Sequence, residues 1–342
     1  MIVIHIGLRK AGSSSIQGFL AANAPALAAM GVDYPAAGRG ARTNHANLAH
    51  ELRGRRQFDP RHGTLEDLAG HWRASPASTL IVSAEALEEC ESAEAARLGA
   101  LLARGGEAFR IVLVLRDLDE LMASSYARMV KVGRQTHDFD AYSERRLAEL
   151  RVDYVATAAR WADAFGWESL EARLLDHARL LNGDLIDDFL GAAGVDPAGA
   201  AARRMARPGL GNAAPGWRVV EAVRALYAGR HGLGAGHPLA DPGRHGIEER
   251  KALGLAAMAV GEARGWNADR GRYLTADQAA RCVEINAAAI EALNRRLSRP
   301  LPAPASLEAR GFEARAFVPD AAHIPPADLR AFYDDLGEAS LP

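Results

Sequence analysis

Apolar residues along the first two hundred positions fall into two alternating patterns. Residues 2–6 (IVIHI), 79–83 (TLIVS) and 110–115 (RIVLVL) are short β-branched runs without a polar parity. Such runs predict strands covered on both faces, as in a parallel sheet. Residues 170–175 (LEARLL) predict a fourth strand. Between these runs the apolar spacing changes to three and four, which predicts helices. The first begins at Ser13 and carries Ile16, Phe19 and Leu20 on one stripe; Asn23 and Pro25 open a new helix, and Gly31 closes it. Further helices are predicted over residues 65–72, 93–102, 119–132, 142–165, 184–190 and 279–296.

Strands alternating with helices imply an α/β fold, a central mainly parallel sheet flanked by helices and joined by right-handed crossovers. Residues 209–248 are rich in Gly, Pro and His, and predict long loops over the sheet rather than a second core. The expected organisation is one domain over residues 1–300, with a C-terminal extension over 301–342 after the proline-rich stretch 300–304.

Composition narrows the function classes. Hydrophobic residues make up 49% of the 342-residue chain, ample for a packed core. The 41 basic and 43 acidic side chains nearly cancel, so no global field draws nucleic acid, and any anion site has to be local. Cys90 and Cys282 are far apart and belong to no Cys/His cluster, which argues against a disulfide framework and a structural zinc site. The apolar run 1–6 is too short for a signal-peptide core, and no span of about 18 apolar residues occurs. A cytoplasmic protein without a transmembrane segment is expected.

The chemistry concentrates where the first strand ends. Gly7 and Gly12 keep the GxxxxG spacing of a phosphate-binding loop, but Ser13 stands where an ATP- or GTP-using loop has its lysine. The lysine lies inside the loop, at Lys10, beside Arg9. Ser13, Ser14 and Ser15 bring three hydroxyls to the helix start, where unpaired amides and the helix dipole favour an anion. The same serines also serve as plain helix caps.

Taken together, His5-Ile6-Gly7-Leu8-Arg9-Lys10-Ala11-Gly12-Ser13-Ser14-Ser15-Ile16-Gln17 resembles the 5′-phosphosulfate loop of the sulfotransferase family that uses 3′-phosphoadenosine 5′-phosphosulfate (PAPS), usually HIGxPKTGTTxxQ. Arg9 stands in place of the proline, Ala11 in place of the first threonine, and serines in place of the threonine pair. A second stretch, Arg116-Asp117 at a strand end with Ser124 eight residues on, is similar to the family's 3′-phosphate motif. A planar guanidinium and a hydroxyl suit a phosphate; alone, the pair reads equally as a surface ion pair and a helix contact. The loop Arg207-Pro208-Gly209-Leu210-Gly211-Asn212 is loosely similar to the family's later grip on that phosphate, through Arg207 and Asn212.

The resemblance implies a P-loop-like three-layer fold and transfer of a sulfuryl group from PAPS to an acceptor hydroxyl, in the manner of bacterial, carbohydrate-type enzymes acting on a sugar or glycan. The cofactor motifs then lie in residues 1–135 and the acceptor loops mainly in 200–300. Lys10 meets the leaving oxygen, Arg9, Ala11, Gly12 and Ser13–Ser15 line the donor's 5′ end, and no metal is required. Two candidates stand for the base. Glu85 follows the strand 79–83, where it also reads as a cap of the next helix, and His45 is the rival. Two other readings stay open: a P-loop kinase or hydrolase, and a non-catalytic nucleotide-binding relative.

Overall fold

The computed structural model describes residues 1–149, 154–176, 178–207, 215–234, 236–241, 246–269, 271–303 and 319–340. By its contacts the chain divides into two compact units: Met1–Asp117 with Val152–Asn212 and Ile285–Pro304, and Leu118–Arg151 with Ala213–Glu284 and Ala305–Pro342.

The first unit holds five parallel strands, β1 (Ile2–His5), β2 (Val32–Asp33), β3 (Thr79–Ser83), β4 (Phe109–Leu115) and β5 (Leu170–Leu174), in the order β2-β3-β1-β4-β5. β1 pairs with β3 (Ile4 opposite Val82) and with β4 (Ile4 opposite Ile111), so it is buried on both edges as well as both faces. Side-chain alternation assigns the layers. Ile2, Ile4, Leu80, Val82, Ile111, Leu113 and Leu115 share one core with α3 (Ala46–Leu52), α4 (Leu65–Ala74), α5 (Ser92–Leu102), α8 (Tyr154–Phe165) and the end of α13 (Ala276–Asn294). Val3, Ile81, Val112 and Val114 face the other way, onto α1 (Ser13–Ala22), α2 (Ala24–Ala29) and α9 (Leu185–Ala192). This is a three-layer α/β fold; α10 (Ala200–Arg203) follows α9 in the chain.

Most runs of the sequence reading lie where expected. β2 was not foreseen, because two residues carry no pattern of their own and become a strand only by pairing with Thr79 and Leu80. The helix expected over residues 142–165 is two, α7 (Phe139–Glu149) and α8, with 150–153 outside the described residues. The expectation of loops over 209–248 is corrected by α11 (Trp217–Tyr227), a helix buried along almost its whole length. Its charged residues Arg218, Glu221 and Arg224 recur at three-residue spacing in an otherwise apolar segment, a helical pattern overshadowed by its Gly- and Pro-rich flanks. Helices rather than loops also fill much of residues 247–294, as α12 (Ile247–Ala263) and α13.

The second unit comprises α6 (Leu118–Lys131), α7, α11, α12, the start of α13 and α14 (Pro326–Ser340). The Tyr126 ring meets Phe139, Tyr142 and Tyr273 at centroid distances of 5.1, 5.3 and 5.2 Å. The Tyr126 hydroxyl donates to buried Glu221 (3.1 Å), which also accepts from Arg224 (2.6 Å). Burial raises the Glu221 carboxyl to about 7 against the pull of that guanidinium. Among the described residues, no helix is long and apolar enough to cross a membrane.

Leu113 is fully buried in the central sheet, whereas Leu181 is 44% exposed. Leu113→Ala is expected to cost about 2–5 kcal/mol in denaturant unfolding, and Leu181→Ala no more than about 0.5 kcal/mol.

Candidate functional site

The chain leaving β1 stays bound to β4 for one further turn, with the Ile6 amide donating to Val112 O (3.0 Å) and the Leu8 amide to Val114 O (3.1 Å). It then turns tightly, the Ala11 amide donating to Leu8 O (3.1 Å). Gly7, Lys10 and Gly12 adopt left-handed backbone, with φ of 43°, 71° and 82°. At both glycines the space is also taken: a Cβ on Gly7 would lie 2.5 Å from Ser13 Oγ, and one on Gly12 would lie 2.2 Å from Leu185 Cδ2. Lys10 holds the same conformation with a side chain attached, at a cost of about 1 kcal/mol or more. Arg116, just past β4, fixes this residue by donating from Nη1 to the Lys10 carbonyl (2.7 Å).

The loop opens directly into α1. Gly12 caps the helix without a side-chain acceptor, and the first turn carries no acidic residue. Its amides and the positive end of the dipole are therefore directed at whatever lies before the helix. Ser13 is wholly buried, and its Oγ has no hydrogen-bond partner among the described residues. Ser14 is exposed and Ser15 half-buried. His5 Nε2 is a second buried atom without such a partner, 3.2 Å from the point where a Gly7 Cβ would stand. The other His5 nitrogen bonds the Ser83 hydroxyl (2.8 Å). Burial lowers the His5 imidazole to about 3, so the ring is neutral.

Arg9 does not reach toward α1. Its amide donates to Glu88 Oε2 (3.0 Å), its Nε pairs with Glu88 Oε1 (3.0 Å), and its Nη2 pairs with Glu89. Both carboxylates belong to the single 3-10 turn Glu85–Glu89 that follows β3. Glu85 starts that turn, half-buried beside the end of β1's neighbour. Burial, with help from Glu85 and Glu89, lifts the Glu88 carboxyl to about 7 despite Arg9. Sequence reasoning passed over Glu88; its signal was three carboxylates within six residues of a strand end.

His45 is taken up by the fold. Its Nδ1 accepts the Ser83 amide (3.1 Å), its Nε2 lies 3.1 Å from the Pro35 carbonyl, and its own amide donates to Ser83 O (2.8 Å). Burial lowers the ring to about 3. With both nitrogens bound to backbone, it has no lone pair for an acceptor's proton, which removes it as the rival to Glu85.

Of the remaining residues, Ala11 is buried in the turn, and Arg207 pairs with Asp184 (2.6 Å) and Asp187 while lying over the Phe19 ring of α1 (5.3 Å). The neighbouring Ala206 exchanges two hydrogen bonds with the Asn23 side chain, which docks this segment on the end of α1. Ser124 lies half-buried on α6, in the second unit. Asn212 lies outside the described residues. No group of three or more His, Cys, Asp or Glu side chains that could hold a metal occurs among the described residues. A cleft of about 770 Å³ lies elsewhere, at the amino ends of β4 and β5, lined by Glu107, Arg110, Glu168 and Arg299.

Comparison with family models, with curated proteins and with solved structures found no match.

His45→Ala would leave the Ser83 amide buried without its partner, while the Pro35 carbonyl keeps Arg39 Nε (2.7 Å). The expected loss is about 1–3 kcal/mol of unfolding free energy, read from the denaturant midpoint. A catalytic base would instead give loss of turnover at unchanged stability.

Proposed function

We propose that the chain is a sulfotransferase, moving the sulfuryl group of PAPS to an acceptor hydroxyl, with a sugar or glycan as the acceptor class. The observation that carries the reading is the Ser13 hydroxyl, fully buried without a described partner at the uncapped start of α1. A buried orphan hydroxyl is costly unless a ligand satisfies it, and the helix start selects a ligand of negative charge. Support also comes from the position of the loop, at the carboxyl edge of a parallel sheet beside the strand about which the order reverses. The motif resemblance then chooses the donor among anions.

In this reading Ser13, Ser14, Ser15 and the amides of Gly12 and the first helical turn hold the 5′-phosphosulfate. Lys10 meets the charge that builds on the leaving bridge oxygen. Glu85 takes the acceptor's proton. Arg116 serves the 3′-phosphate while its Nη1 keeps the Lys10 carbonyl. Arg207 fits that role less directly, because a phosphate there has to displace Asp184 and Asp187.

Calorimetry is expected to give tight binding of adenosine 3′,5′-bisphosphate and weak binding of ATP. Magnesium-dependent turnover of ATP would favour a kinase or hydrolase instead. PAPS bound but never consumed across an acceptor panel would favour a non-catalytic relative. Lys10→Ala is expected to lower turnover by about 10²–10³-fold with the fold retained by circular dichroism, and unchanged turnover in that variant would count against the loop assignment.

A further inference from the structure

Glu88 engages the anion loop at two points. One carboxylate oxygen takes the Arg9 amide, and the other takes the Arg9 guanidinium, each at 3.0 Å. Arg9 directly precedes Lys10, whose carbonyl Arg116 holds from the opposite side, from the end of β4. The loop is thus clamped between the ends of the two strands that flank β1. Glu88 is itself held: its carbonyl accepts from Arg160 Nη2 of α8 (2.8 Å), and Arg160 Nε donates to Cys90 O (3.1 Å).

We infer that Glu88 is a positioning residue for the anion loop, latching it through Arg9 in its ionised state and loosening it when protonated. A proline at position 9 would have no amide to give, so the latch depends on Arg9 in both backbone and side chain. The charged groups around Glu88 are Arg9 on the loop, Glu85 and Glu89 on its own turn, and Arg160 on α8. Arg53 and Arg55 are further cations reached through Glu89. Burial above all, with Glu85 and Glu89, opposes ionisation of Glu88 and outweighs the pull of Arg9, so the group titrates at about 7. A raised carboxyl is ionised only above its folded value, so the latch closes as pH rises through about 7 and opens as pH falls below it.

Hydrogen exchange over residues 7–12 tests this without reference to any ligand. Protection factors of wild type are expected to be several-fold higher at pH 8 than at pH 6. Glu88→Gln, which keeps an acceptor for the Arg9 amide but no charge, is expected to show no pH dependence and to sit at the wild type's pH 6 level. Glu88→Ala is expected to fall below it. A Glu88→Gln protein with the wild-type pH dependence, or a folded Glu88→Ala protein with wild-type protection, overturns the latch.

A second arm rests on the nucleotide reading. The two variants have lost the same charge, so a difference in their affinity for adenosine 3′,5′-bisphosphate reports the amide's acceptor alone. Glu88→Gln is expected to bind about fivefold more tightly, the worth of one hydrogen bond; equal affinities overturn the latch's part in binding. Failure of wild type to bind the bisphosphate counts against the nucleotide reading, and the exchange experiment still decides the latch.

Discussion

A four-residue strand paired along both edges governs the candidate site. Because β1 lies between β3 and β4, the residues that leave it have only one way out, over the carboxyl edge of the sheet, between the two neighbouring strand ends. Everything of chemical interest in the first unit is supplied there within a few residues of a strand: the glycine loop after β1, the acidic turn after β3, and Arg116 after β4. The sheet does not merely support the loop. It decides which side chains can touch it, a carboxylate from one flank and a guanidinium from the other.

Those two flanks act on the loop differently. Arg116 binds a carbonyl, donating from its guanidinium to Lys10 O. Glu88 binds an amide and a guanidinium with a group that titrates near neutrality. Beneath them, His5, Ser83 and Gln17 form a buried polar patch under the loop, joined through the Ser83 hydroxyl. The His5 ring is neutral, so this patch offers hydrogen bonding without a fixed charge.

The layers and the loop were legible in the sequence because they rest on local pattern. Residues 79–83 and 110–115 are too uniformly apolar for anything but a strand covered on both faces, and Gly7, Gly12 and the three serines name a turn into a helix. What escaped reading depends on partners distant in the chain. β2 exists because Gly31 and Val32 come alongside Thr79, and α11 is hidden by the composition of its flanks. His45 looked like a candidate base until both nitrogens proved to be bound to backbone at Pro35 and Ser83, neither of which its own neighbourhood announces. Glu88 and Glu85 are indistinguishable as letters. Only the 3-10 turn, by carrying Glu88 round to the Arg9 amide, sets them apart.

The left-handed backbone at Lys10 has a consequence for how this loop can vary. Glycine is the residue its geometry asks for, and placing one there would relieve a cost of roughly 1 kcal/mol while deleting the only ammonium between Gly7 and Gly12. Substitutions chosen for thermal robustness would therefore converge on this position and remove its charge. In this turn the most relaxed chain and the most cationic chain are different molecules, and the one observed is the more cationic.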